Sequence, residues 1–352
     1  MRKPLKIVLK VLLILILILV LAMAGLIVFL TVTEYKPADA EPVEVSGRTE
    51  TAFSGDTVSV LTWNIGYAGL DADADFFMDG GTRVVSTDEY DVGVNLDNMA
   101  CRMQELGADF NLLQEVDRDC ARTYHIDELR VLEDLMGLSS AFAYNYKCPF
   151  VPIPFPPMGQ VEAGLLSLSG YQMKDAERIS LPCPFSWPVS AANLKRCLLV
   201  TRTPIEGSDR ELVLVNLHLE AYDSGEGKIA QTKMLMDLLE AEYDKGNYVI
   251  AGGDFNQSFP GALERWPIMD PELWTPGVLE ENSLPEEWKF VCDTETPTCR
   301  LLNAPYNAET TQHYVIDGFI VSPNVEVVSV TTVDEAFLSS DHNPVLLEAR
   351  LR

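Results

Sequence analysis

The chain has 352 residues, 47% of them hydrophobic and 22% charged, and 53 acidic against 26 basic side chains leave a net charge of −27. That balance lies close to the globular average, which excludes disorder throughout, a collagen-like fibre and a multi-span membrane protein. Strong acidity disfavours avid, nonspecific nucleic-acid binding, because phosphates are repelled unless cations intervene, although acidic surface also serves solubility alone.

One segment departs from the average. Val11–Leu30 is a run of 20 residues without a charge, long enough as a helix to cross a bilayer core of roughly 30 Å. Arg2, Lys3, Lys6 and Lys10 precede it, while Glu34, Asp39, Glu41 and Glu44 follow. Basic flanks stay in the cytoplasm. Residues 1–10 therefore read as a cytoplasmic basic segment, 11–30 as a transmembrane helix, and the rest as extracytoplasmic, giving a single-pass protein of the cell membrane. A cleaved signal peptide is the competing reading, with Ala22-Met23-Ala24 as its cleavage site. The apolar run continues through Leu26–Leu30, beyond the ~7–15 residues usual for such signals, so the uncleaved anchor is preferred. Residues 31–55 read as a linker, with Glu, Pro, Thr, Ser and Gly and few large apolar side chains, and 56–352 read as one domain. Residues 37–352 hold 21 basic and 52 acidic side chains, a net charge of −31.

Strand-like and helix-like segments then alternate. Val58–Trp63 is a short apolar strand, Leu96–Leu106 carries apolar residues at helical spacing, and Asp109–Leu113 is strand-like again. Glu211–Leu219 alternates, Lys228–Glu240 is helical, Tyr248–Ala251 is a buried strand, and Tyr314–Val321 and Val325–Val333 close the chain. This pattern fits an α+β domain in which helices cover a sheet core.

Two loops stand apart. Asp71–Gly81 (DADADFFMDGG) has acids at alternate positions, but Phe76 and Thr82 stand where a calcium-binding EF-hand loop needs Gly and Glu. It reads as solvated or site-lining. Cys148–Gly159 (CPFVPIPFPPMG) has five prolines among apolar residues; a packed crossing is preferred over an exposed surface for lipid or apolar substrate. The seven cysteines leave at least one free. Cys292 with Cys299 is the first candidate bridge and Cys183 with Cys197 the second, and no Cys and His spacing resembles a zinc site.

Polar residues at the ends of the apolar strands are the informative positions, because strand ends hold side chains rigidly. Asn64 ends Leu61-Thr62-Trp63, Glu115 ends Leu112-Leu113-Gln114, and His218 ends Val215-Asn216-Leu217. Asp254 and Asn256 follow Ala251-Gly252-Gly253, Asp317 lies within Val315-Ile316-Asp317-Gly318-Phe319, and Asp341-His342 follows Ser339-Ser340. One carboxylate after a strand is commonly a cap or turn residue; six such positions in order are not.

These segments (TWN, LLQEV, NLHLE, GGDFN, IDGF and SSDHNPV) match, in order, the motifs of the endonuclease/exonuclease/phosphatase superfamily, and the resemblance spans roughly residues 56–352. It implies a four-layered α/β sandwich: two mixed β-sheets face to face, with helices on both outer faces. It also implies a Mg²⁺-dependent phosphoester hydrolase, with Mn²⁺ or Ca²⁺ as alternatives. Glu115 is then the principal metal ligand, supported by Asn64 and Asp341. Asp254 orients or deprotonates the attacking water, and Asn256 donates to a phosphate oxygen. His342 is the catalytic histidine polarised by Asp317. His218 resembles the second histidine of the deoxyribonuclease and sphingomyelinase branches, and departs from the abasic-site endonuclease branch. Asn145, within Tyr144-Asn145-Tyr146, and Arg196, beside Lys195, are weaker candidates for substrate contact; a surface ion pair is the alternative for Arg196. His125 and His313 stay unassigned. The expected partners are the membrane, through the N-terminal helix, and a lipid-linked or small phosphoester, with the chain acting as a monomer. An extracellular nuclease and a non-catalytic binding ectodomain are the alternatives.

Overall fold

The computed structural model describes residues 2–47, 49–223 and 225–352. Met1 of the expected basic segment and Arg48 of the expected linker lie outside the described residues, as do Ser224 and the side chains of Arg2 and Lys3.

Helix α1 (Arg2–Val32) leads the chain, and Pro4–Val32 is long and apolar enough to cross a membrane. The strands of the two large sheets are β1 (Ala40–Val43), β2 (Val45–Ser46), β3 (Thr57–Asn64), β4 (Phe110–Asp117), β5 (Ser139–Val151), β6 (Gly159–Ser169), β7 (Asp175–Ser180), β8 (Cys197–Pro204), β9 (Glu211–His218), β10 (Tyr248–Asp254), β11 (Lys289–Val291), β12 (Asp317–Val321), β13 (Val325–Thr332) and β14 (Val345–Leu351). They form two seven-stranded sheets, in the orders β13-β14-β3-β4-β6-β5-β2 and β1-β7-β8-β9-β10-β12-β11. Each sheet is antiparallel except for one parallel pair, β3 with β4 and β9 with β10. A parallel pair needs a crossover: α2 (Glu89–Leu106) joins the first and α4 (Glu226–Asp244) the second, while α3 (Glu128–Met136) packs beside α2.

Side-chain alternation along the strands produces the four layers. Val58, Val60 and Leu112 meet Leu212, Leu214 and Ile250 between the sheets. Leu61, Trp63 and Leu113 turn outward onto Leu96, Met99 and Met103 of α2. Val213, Val215 and Val249 turn outward onto Leu235 and Leu239 of α4. Helix α2 starts where the Asp88 carboxylate accepts from the Asp91 N–H at 2.8 Å, and ends at Gly107 in the left-handed region. The sandwich expected from the motifs is present.

Four expectations need correction. The linker is stitched to the domain: β1 pairs with β7, β2 pairs with β5, and Phe53 is buried in the inter-sheet core. Edge strands offer unpaired N–H and C=O groups, so a segment of polar, Pro-containing sequence gains order from backbone pairing that its composition does not advertise. Tyr314–Val321 is not one strand but breaks after Tyr314 and resumes at Asp317. Among the described residues all seven cysteines are unpaired. Cys292 packs with the α4 core and Cys299 with Leu301 and Tyr314, while the Cys183 and Cys197 sulfurs face different carbonyls. The Pro-rich segment is the turn of the β5–β6 hairpin: Val151 and Met158 are buried at its base, but Ile153 and Phe155 at its tip are 70% and 95% exposed.

Candidate active site

The C-terminal ends of the two parallel pairs lie at the same end of the sandwich, the usual place for a site in α/β sheets. Register places the residues: Asp254 is opposite His218 on one side and Asp317 on the other. Asn64 ends β3, opposite Gln114. Glu115 comes next, where the β4–β6 register shifts between Leu113 and Val116. Its φ is 57°, a strained value for a non-glycine residue, and a bulge of this kind re-aims a side chain. Gly253 has φ 155°, and a Cβ there would stand 2.0 Å from the Leu217 carbonyl oxygen. Only glycine lets β9 and β10 close so tightly just before Asp254.

The convergence is tight. Asn64 Nδ2 donates to Asp254 Oδ2 at 3.0 Å and to Glu115 Oε1 at 3.2 Å, while its Oδ1 accepts from the Gly66 N–H. His218 Nε2 stands 3.5 Å from Asp254 Oδ2, and its Nδ1 lies 4.0 Å from Glu115 Oε1. His342 Nδ1 contacts Asp317 Oδ2 at 2.9 Å; its Nε2 is 3.9 Å from Asp254 and 3.8 Å from Asp341. Asn256 donates its N–H to Asp254 Oδ1 at 2.8 Å, but its amide Nδ2 is engaged by the Leu219 carbonyl.

Burial sets the charge states. It pushes the Asp254 carboxyl up, with Asp317 adding to the effect, against the pull of His342 and Asn64. Burial likewise raises Asp341 to about 7, and Glu115 and Asp79 add to the rise. For His342, burial favours the neutral ring, but the Asp317 carboxylate outweighs it and holds the imidazole well above 6.5. His218 goes the opposite way: burial, then the positive Arg196 and His342, drive it well below 6.5.

The donor set suits a hard divalent cation. Three carboxyl groups, Asp79, Asp254 and Asp341, are buried near Glu115 and pushed toward protonation, and the buried His218 Nδ1 has no hydrogen-bond partner. A cation would hold the carboxylates ionised, and a phosphoryl oxygen would fill that gap. The tightest groups of ligating atoms among the described residues are Cys299 with Asp341 and His342, and Asp254 with Asp317 and His342; Glu115 belongs to neither.

The two weaker candidates lie on the wall. Asn145 lines the cleft, buried. Arg196 also lines it, though not as part of a surface pair: it is buried, its Nε 3.2 Å from Glu220 Oε2 and its Nη1 donating to the His218 carbonyl. Lys195 is bound to Glu34 and the Ser190 carbonyl. His125 contacts Asp119 at the surface, and His313 lies among Trp266, Tyr306 and Phe337. Asp79 was missed as an individual residue. It sits in the acidic loop, buried beside the cleft, accepts from Tyr222 Oη at 3.2 Å, and burial raises its carboxyl to about 6. Alternating acids hid which one turned inward. Cys299 was missed too, because cysteine spacing pointed to a bridge.

No family model matches the sequence, and no curated protein matches it. Solved structures do. An endonuclease/exonuclease/phosphatase from Beutenbergia cavernae superposes with a TM-score of 0.55 at 19% identity, over 84% of this chain and 72% of that one. The chain has the endonuclease/exonuclease/phosphatase fold. ANGEL2, a 2′,3′-cyclic phosphatase crystallised with adenosine-2′,3′-vanadate, gives 0.54 at 16% identity over 88% and 98% of the two chains. Humanized D. rerio TDP2 gives 0.53 at 13% over 84% and 100%. Within this fold the cleft has a volume of about 590 Å³, inside the range of ligand sites, and Glu115, His218, Asp254, Asp341 and His342 line it.

Proposed function

We propose that the protein is a membrane-anchored, magnesium-dependent phosphoester hydrolase whose domain faces away from the cytoplasm and acts on a lipid-linked or small phosphoester. The observation that carries this reading is the meeting of Asn64, Glu115, His218, Asp254, Asp317 and His342, from both sheets, around one cleft. Glu115 and Asp341, with Asn64 in support, would hold the magnesium ion, which when bound supplies charge neutralisation at the phosphoryl oxygens. Asp254 takes the proton of the attacking water as the water oxygen bonds to phosphorus. The phosphorus–ester bond breaks, and the departing oxygen takes a proton from the His342 imidazolium, which Asp317 holds charged and oriented. His218, neutral and buried, and the second N–H of Asn256 are placed for hydrogen bonds to phosphoryl oxygens. Arg196 keeps the His218 backbone in position through its carbonyl.

The length and apolarity of Pro4–Val32, with basic residues on its N-terminal side, support the anchor and its orientation. A nucleotide phosphoester is the second reading, favoured by ANGEL2 with its bound adenosine-2′,3′-vanadate; the charge of −31 outside residues 1–36 weighs against a polymeric one. The test uses the full chain with bis-p-nitrophenyl phosphate, p-nitrophenyl phosphate, plasmid DNA and phospholipid vesicles, each with Mg²⁺, Mn²⁺, Ca²⁺ or EDTA. Metal-dependent release from the synthetic esters, abolished by EDTA, is expected. Turnover in EDTA would contradict the mechanism, and no turnover in any arm would leave a binding ectodomain.

A further inference from the structure

The cleft has a second half that phosphoester chemistry alone does not explain. From the polar floor it runs outward to a mouth walled on one side by Met23, Leu26, Ile27 and Leu30 of α1, and on the other by Ile153 and Val189. Leu26 and Leu30 pack with Val151, Met158 and Val161 of the β5–β6 hairpin. Two polar contacts pin this end of the helix to the domain: Trp187 Nε1 donates to Thr31 Oγ1 at 3.0 Å, and Lys195 Nζ to Glu34 Oε1 at 2.9 Å.

The opposite face of the same turns is bare, with Val28, Phe29 and Val32 exposed. Around the mouth stand Phe155 and Trp187, also exposed and large. Such a group is costly in water but suits the outer boundary of a bilayer, where tryptophan in particular collects. A membrane crossed by α1 therefore reaches the level of Val32 on the bare side, and the hairpin tip and the Trp187 loop meet it there.

We propose that α1 is part of the substrate site. Its last turns, Met23 to Leu30, are one wall of an apolar channel from the outer leaflet to the polar floor. The occupant is a membrane-resident phosphoester amphiphile, its alkyl chain laid against Leu26 and Leu30 and its phosphate at Asp254 and His342. The inference rests on the phosphoesterase reading above and gives that site its substrate class. A tether would need no contact with the cleft, and a site for small soluble esters would need no channel toward the bilayer.

The full chain in phosphatidylcholine vesicles is assayed with methyl, hexyl and dodecyl p-nitrophenyl phosphate, reading nitrophenolate release. The expected ratio of kcat/KM for dodecyl over methyl ester is about 10²-fold, since each buried methylene adds to the discrimination. The double variant Leu26→Ser, Leu30→Ser should lower that ratio about tenfold. Because this pair could disturb packing, Ile153→Ser with Phe155→Ser, at the exposed tip, is the second variant, and its ratio should fall too. Equal rates for the three esters overturn the channel while leaving the phosphoesterase intact. A ratio that both variants leave unchanged assigns the gain to partitioning into the vesicle, and also overturns it. No turnover of the methyl ester, with none of p-nitrophenyl phosphate either, removes both readings together.

Discussion

The floor and the mouth of the cleft are built on opposite principles. Floor residues sit at or beside strand ends in both sheets, and hydrogen bonds tie them together: Asn64 holds Asp254 and Glu115, and Asp317 holds His342. Every side chain there is polar and specific in type, and all but the partly exposed Glu115 are buried. The mouth is assembled from a helix, a hairpin tip and a loop, and its apolar side chains could exchange with other apolar residues at small cost. On the proposed reading, chemistry belongs to the floor and substrate choice to the mouth, and substitutions should separate them.

The largest effect should come from Asp254→Ala, which is expected to lower kcat/KM on every ester by roughly 10²–10⁴-fold while leaving the dodecyl-to-methyl ratio in place. Gly253→Ala attacks the frame instead. A Cβ 2.0 Å from the Leu217 carbonyl oxygen forces β9 and β10 apart, and a loss of about 3 kcal/mol is expected in denaturant unfolding, together with loss of turnover. Next comes Asn64→Ala, which frees the Glu115 and Asp254 carboxylates. It should raise the magnesium concentration for half-maximal turnover by about 10–100-fold, read by metal titration at fixed ester.

The smallest effect lies far from both regions, at Glu242. Burial pushes this carboxyl up, but hydrogen bonds from Lys245, Arg202 and Asn247 outweigh it and hold it below 4.5. A depressed folded value means the contribution is present above the unfolded value and is lost as pH falls through the folded one. Glu242→Gln should therefore cost about 1 kcal/mol near neutral pH. The gap to the parent should close below pH 4.5, while activity ratios at the mouth stay fixed.

Much of the floor was legible in the sequence. Apolar runs end at or beside polar residues in the order of the family motifs, so Asn64, Glu115, His218, Asp254, Asp317 and His342 could be named from local pattern and motif order. Asp79 could not, because three acids at alternate positions precede it in the same loop and burial alone distinguishes it. Arg196 beside Lys195 read as a substrate contact or a surface ion pair; packing turned one toward Glu220 and the other toward Glu34. The strands at 139–151 and 159–169 were missed, since the polar residues and prolines at their ends mask the alternation.

By itself the sequence determined the kinds of elements, the length of an apolar N-terminal helix and the polar residues at the strand ends, because those depend on neighbours in the chain. Only the tertiary structure decided that residues 40–46 close the edges of two sheets, that the cysteines stand apart, and that Leu26 and Leu30 line the cleft. The physical reason is that apolar burial has no direction: a leucine is equally suited to lipid, core or channel, and what packs against it settles which.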